Sequence, residues 1–216
     1  MNRCLVLVLV LLATNSFAQY PEDCRNGIGI FTLSSVPIDG MNLNSYSTYQ
    51  GAPGLFTVYA ILFRPHDDAG GQDLDRIGGF ELRVVLPAGV FLLGTTLPAG
   101  ATNATATPDF LVTMDSPVVG DQCVLVDLQL GEFTGATSLL YLAPPSTGGT
   151  LPGHMAIRGV GPTSGTTAAY PVSGDYDYPV FALWPWTDLK SSWTLGCGAE
   201  VPTRESSFGT LKSLYR

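Results

Sequence analysis

The stretch RPHDDAGGQDLDR, residues 64–76, gathers His66, Asp67, Asp68, Asp73 and Asp75 around two glycines. Carboxylates and carbonyls at such spacing can hold Ca²⁺, a hard cation that takes roughly 6–8 oxygen ligands. The order of the acidic residues departs from the EF-hand pattern. The plainer reading is a solvated connection between two strands, with Asp67, Asp68, Asp73 and Asp75 as the metal-binding alternative. A second Asp-x-Asp pair, Asp175 and Asp177 in SGDYDY, can share an ion with the first only if the fold brings the two loops together.

The other candidate chemistry is aromatic. FALWPWTDLKSSW contains Trp184, Trp186 and Trp193, with Tyr176 and Tyr178 just upstream. Rings exposed in a row can stack on sugars, although large aromatics more often fill cores. Trp184 and Trp186 would share one face of a strand, so the exposure of that face decides between the two.

Catalysis finds little support. His66 and His154 are the only histidines, and neither stands in a GxSxG, HExxH or Cys/His signature. A glycosidase needs two carboxyls facing each other across a cleft. The glutamates are Glu22, Glu81, Glu132, Glu200 and Glu205. Of these, Glu81 and Glu132 fall on or just beyond predicted strands, where a solvent-facing position accounts for them. The expectation is a protein that is not an enzyme and needs no cofactor beyond that Ca²⁺ alternative.

The first residues, MNRCLVLVLVLLATNSFAQ, set Arg3 before an apolar run of about ten residues and close on Ser16, Phe17 and Ala18. This is the three-part form of a secretory signal peptide over 1–18, and the run is too short to span a bilayer, which takes about 20 residues. The expected location is therefore secreted, periplasmic or cell-surface, with no membrane span after cleavage. A net charge of −8, one unit more negative without Arg3, excludes the basic footprint that nucleic acid or anionic lipid would need. Cys4 leaves with the signal. Cys24 and Cys197 lie near opposite ends of the remaining chain and are expected to form a disulfide. Cys123 opens the apolar stretch CVLVDLQL and is expected to be buried. No CxxC pair supports zinc.

The elements that must position these residues read as strands. Only 13% of residues are charged and 45% hydrophobic, with 25 Gly and 16 Pro, a composition of short strands joined by turns. In GGFELRVVL, Phe80, Leu82, Val84 and Leu86 alternate with Glu81, Arg83 and Val85, as in a strand with one buried face. Further strands are predicted over 55–63 and 123–130, with weaker candidates at 27–33, 110–114, 138–143, 154–160 and 178–183. The segments PPSTGG and GPTSGTT read as loops. The tetrapeptide LPAG occurs twice, at 86–89 and 97–100. In each, Pro fixes φ and the Gly two residues later tolerates φ > 0, so both predict turns around one strand, with Gly94 a natural bulge.

The run DRIGGFELRVVLPAGVFLLGTTLPAGA, followed by CVLVDLQLGEFTGATSLLYLAP, resembles a cohesin-type or carbohydrate-binding-module sandwich over roughly residues 55–160. The likeness rests on apolar spacing and Gly placement. It implies a jelly-roll-like sandwich and transfers no active residue. Where cohesins usually have a Tyr-Asp-Pro turn, this chain has Leu86, Pro87, Ala88 and Gly89, which removes the basis for a dockerin partner. The final SSFGTLKSLYR is similar to a tail of the kind SWGxxKxLYR that ends exported bacterial proteins, with Phe208 in place of Trp. Its Phe208, Leu211, Leu214 and Tyr215 would make one apolar face of a short helix, suited to docking on a partner surface.

The combined expectation is an all-β, antiparallel two-sheet sandwich, jelly-roll or cohesin-like, over 19–200, with a tail over 201–216 that forms a short C-terminal helix. Its expected role is that of a non-catalytic interaction or structural module of a cell-surface or extracellular assembly, with an extracellular or cell-surface protein as partner. The alternative is a carbohydrate-binding module that meets a polysaccharide through Trp184, Trp186 or Trp193.

Overall fold

The computed structural model describes residues 25–36, 47–173 and 176–183. Fourteen strands and no helix occur among them: β1 (Gly27–Phe31), β2 (Thr48–Tyr49), β3 (Gly54–Phe63), β4 (His66–Asp67), β5 (Gln72–Asp73), β6 (Ile77–Val85), β7 (Val90–Thr96), β8 (Ala101–Asn103), β9 (Asp109–Val118), β10 (Gln122–Glu132), β11 (Ser138–Ala143), β12 (Met155–Gly159), β13 (Gly165–Pro171) and β14 (Phe181–Leu183). The signal segment 1–18, the tail 201–216 with its predicted helix, the three tryptophans, and Cys24 and Cys197 lie outside the described residues.

The described residues are all-β, but their large sheet is mixed. Twelve strands connect along the path β2-β14-β11-β6-β12-β13-β1-β3-β10-β7, with β9 on β6 and β8 on β9, while β4 and β5 form a separate ribbon. Two pairings, β1 with β13 and β14 with β2, are parallel. The purely antiparallel expectation is corrected on that point.

Period-two patterning built β6 as anticipated. Phe80, Leu82 and Val84 are at most 1% exposed, while Glu81, Arg83 and Val85 lie half-buried on the other face. This strand organises its neighbours. β9 pairs along one edge, and the other edge is shared between β12 at its start and β11 at its end. Both LPAG segments are turns: the amide of Val90 donates to the Pro87 carbonyl at 3.2 Å and that of Ala101 to Pro98 at 3.0 Å. Gly89 and Gly100 supply the positive φ, 88° and 73°. Between them β7 runs against β10 with a register shift. Gly94 faces Gln129 and Leu92 faces Leu130, so Leu93 is the extra residue of a bulge beside the glycine.

β13 falls in what reads as the GPTSGTT loop and the residues after it. Its Thr167, Ala169 and Pro171 alternate inward, but with side chains too small to register as an apolar strand. Its register explains its importance. Thr166–Ala169 pair antiparallel with β12, and Tyr170–Pro171 pair parallel with β1, so one strand joins the β8-β9-β6-β12 group to the β1-β3-β10-β7 group. The buried faces meet in one hydrophobic cluster that includes Ile28, Ile61, Phe80, Phe110, Leu128, Leu142, Ile157 and Phe181. The paired registers Phe80↔Val112 and Leu82↔Phe110 bring the Phe80 and Phe110 rings to 6.5 Å between centroids. The predicted strand over 178–183 begins only at Phe181, and Tyr178 is exposed.

Candidate functional site

The acidic loop after β3 folds into the β4–β5 ribbon, and its carboxylates are engaged one by one. Asp67 Oδ1 accepts the amide of Ala69 at 3.0 Å, an Asx turn that starts the ribbon's bend. The two oxygens of Asp68 serve different neighbours: Oδ2 accepts from the Thr167 hydroxyl at 3.2 Å and Oδ1 from Asn26 Nδ2 at 3.4 Å. Asp73 Oδ1 lies 3.0 Å from Nδ1 of the buried His66. Asp75 is exposed. No group of three or more His, Cys, Asp or Glu suited to a metal ion occurs among the described residues, so Asp67, Asp68, Asp73 and Asp75 are not brought together as a Ca²⁺ set there. What the loop does is dock the ribbon on β13 through Asp68 and on the 25–26 turn through Asn26. Asp175 lies outside the described residues, and Asp177 is exposed.

Glu132, expected to face solvent, is only 1% exposed. Its Oε1 accepts the amide of Thr134 at 2.7 Å and the Thr134 hydroxyl. Its two oxygens share the amide of Gly135. The Thr134 hydroxyl is the main cause, and these amides a further one, of a carboxyl held below the usual glutamate range. Its work is to hold the turn that follows β10. Cys123, buried as expected, donates its thiol to the Gly120 carbonyl at 3.2 Å. Burial, and after it the Asp121 carboxylate, pushes the thiol up to about 11, the opposite of what a nucleophilic cysteine requires.

Two surface features remain, and neither stood out in the sequence. One is apolar. Register places Leu55 of β3 and Phe91 of β7 on either side of Gly131 in β10. Leu55, Phe91, Leu93 and Phe133 are 69%, 56%, 55% and 59% exposed. A side chain at Gly131 would meet Leu93 Cδ1 and Phe133 Cε2 at 2.9 Å, so those two lean over a floor that glycine leaves open. β7 ends the strand path, and its outer edge is unpaired among the described residues.

The other feature is polar. On the outer face, register lines up Thr166, Arg158, Gly79 and Thr113 across β13, β12, β6 and β9. Segment 144–150 lies alongside. Asp109 accepts the amide and hydroxyl of Ser146, both at 2.8 Å, and Glu81 accepts the amide of Thr150 at 2.6 Å together with its hydroxyl. Between strap and sheet is a cleft of about 230 Å³ lined by Gly79, Glu81, Leu111, Thr113, Thr150 and Arg158, among others.

The chain matches no family model, no curated protein and no solved structure. The fold and the described sites therefore define its class alone: described residues that are all-β and carry an apolar surface cluster, a polar cleft, and a buried, poorly nucleophilic cysteine.

Proposed function

We propose that the chain is an exported, non-catalytic interaction module of sandwich type, and that it meets a protein partner through the apolar cluster around Gly131. The sandwich reading draws support from β13, which leaves one group of strands for another as strands do at the corners of packed sheets. The observation that carries the function is the clustering of Leu55, Phe91, Leu93 and Phe133 at the unpaired side of the sheet. Scattered apolar residues on a surface are ordinary, but a contiguous group beside a strand edge is the usual mark of an interface. Aromatic anchors around a small pocket are also the groups that dominate binding energy in protein complexes. The chain as a whole carries a net charge of −8, which suits an extracellular protein partner and not nucleic acid.

A photo-crosslinking amino acid placed at Phe91 in the producing cells tests this. A discrete adduct is expected there and not from the same probe at Thr166 on the polar face, and Leu93→Asp should abolish it. Equal labelling at both positions, or none at either, sinks the reading.

A further inference from the structure

We infer that the cleft between strap 144–150 and the outer sheet face binds a neutral, hydroxyl-rich ligand, a single sugar ring or the end of a saccharide chain, through Arg158 and Glu81. This site is separate from the apolar cluster and does not depend on the tryptophans.

The argument begins with Gly79. A Cβ there would meet the Val112 carbonyl oxygen at 2.6 Å and stand 3.4 Å from Arg158 Nε and Nη2, so the close approach of β9 requires glycine, and its bare backbone leaves room in the row between Arg158 and Thr113. The guanidinium lies over this gap and donates from Nη2 to the Gly78 carbonyl at 2.9 Å. That bond fixes the planar group. Arginine carries five N–H donors, so the others remain for the cleft it lines. Arg25, Arg64, Arg76, Arg83 and Arg158 are the only arginines between positions 25 and 183, and no lysine accompanies them. No carboxylate pairs with Arg158 among the described residues.

Glu81 supplies the complementary half. Each of its oxygens accepts one bond from Thr150 and keeps a second acceptor site. A donor fork and an acceptor carboxylate in one cleft cancel in charge, which disfavours a simple anion or cation and suits vicinal hydroxyls that both donate and accept. Thr113 and Thr166 add hydroxyls from β9 and β13. Adjacent strands lie about 4.8 Å apart, so Arg158 and Thr113, two strands apart, bracket roughly the width of one pyranose ring. Leu111, Ala104 and Ala156 give an apolar wall for its C–H face. At about 230 Å³ the cleft is smaller than a drug-sized pocket.

The test is a ¹⁵N–¹H titration of the full chain with glucose, galactose and xylose. The range runs to roughly 100 mM because a site without an aromatic platform binds at the millimolar level. Sodium acetate and glycine serve as the anion and zwitterion arms. At least one sugar is expected to shift the amides of Gly79, Thr113, Gly148 and Thr150, and Arg158→Gln to weaken it about tenfold or more. Should Arg158→Gln lose spectral dispersion, Arg158→Lys takes its place: it keeps the charge, loses the fork, and should weaken sugar binding comparably. Shifts with acetate or glycine but no sugar, sugar shifts confined to other surfaces, sugar binding indifferent to Arg158, or no shift with any probe overturn the proposal. None of these results bears on crosslinking at Phe91.

Discussion

Both carboxylate oxygens of Glu132 accept the backbone amide of Gly135, at 3.1 and 2.9 Å, three residues further along the chain. The bond closes a tight turn that carries Phe133 out over Gly131, so a buried charge sets the position of an exposed ring. Because the Thr134 hydroxyl and, after it, the amides of Gly135 and Thr134 hold the carboxyl below its usual range, their stabilisation is complete above the unfolded glutamate value and is lost as pH falls through the lowered folded one. Acidification below about 4.5 should therefore loosen residues 133–136. Glu132→Gln should lower Tm by a few degrees at pH 7, with the gap between variant and parent closing at acid pH. Thermal melts across pH 3–7 check this, and a gap that widens on acidification contradicts it.

Asn26 carries the junction of β1, β13 and the acidic ribbon. Its backbone sits at φ 58°. Its Oδ1 accepts the His66 amide at 2.7 Å and its Nδ2 donates to the His66 carbonyl at 2.9 Å, both buried. Asn26→Gly should lose these bonds while easing the left-handed backbone. Asn26→Ala should lose the bonds and add the cost of a Cβ at positive φ. Expected destabilisations are about 1–3 kcal/mol for Gly and roughly 1 kcal/mol more for Ala. Urea unfolding measures both, and the order Gly worse than Ala would refute the account.

How far these features could be read in the sequence depends on whether a single strand or a register makes them. Phe80, Leu82 and Val84 declare their buried face by alternation along one segment, and both LPAG turns are declared by Pro and Gly alone. β13 is hidden because Thr167 and Ala169 fill space with small side chains. Glu132 reads as a polar strand end because its partners are the Thr134 hydroxyl and the amides of Thr134 and Gly135, local contacts that leave no periodic signature. The cleft is less visible still: Gly79, Thr113, Arg158 and Thr166 come from four strands, and only pairing register puts them in one row. The apolar cluster has the same origin, with Leu55, Phe91 and Gly131 each unremarkable in its own strand.

Cys123 should resist thiol reagents in the native state. With the thiol pushed up to about 11 and its side chain 2% exposed, alkylation at pH 8 should proceed only through opening of β10. Iodoacetamide labelling of the 122–132 peptide, followed by mass spectrometry, should rise by orders of magnitude in denaturant. The linkage runs opposite to that of Glu132. The unfolded thiol ionises near 9 while the folded one stays protonated, so stability falls as pH rises from about 9 to 11, by on the order of 2 kcal/mol. Cys123→Ser should remove most of that slope, and rapid native labelling would show the thiol to be accessible.

The strap over the cleft should answer to its two carboxylates separately. Asp109 holds Ser146 and Glu81 holds Thr150, so each fixes one end of segment 144–150. Asp109→Asn and Glu81→Gln each keep an acceptor and lose the charge that strengthens it, so each should cost about 1 kcal/mol or less globally. Their local effects should differ. Hydrogen exchange is expected to rise at Ser146 in the first variant and at Thr150 in the second, and in both only when the charges are removed together. The strands beneath keep their own ladder from β6 to β9 and β12, so protection at Phe80, Val112 and Ile157 should not change. If Glu81→Gln released Ser146 and Thr150 equally, the strap would be a single cooperative unit, and its two anchors would not be independent.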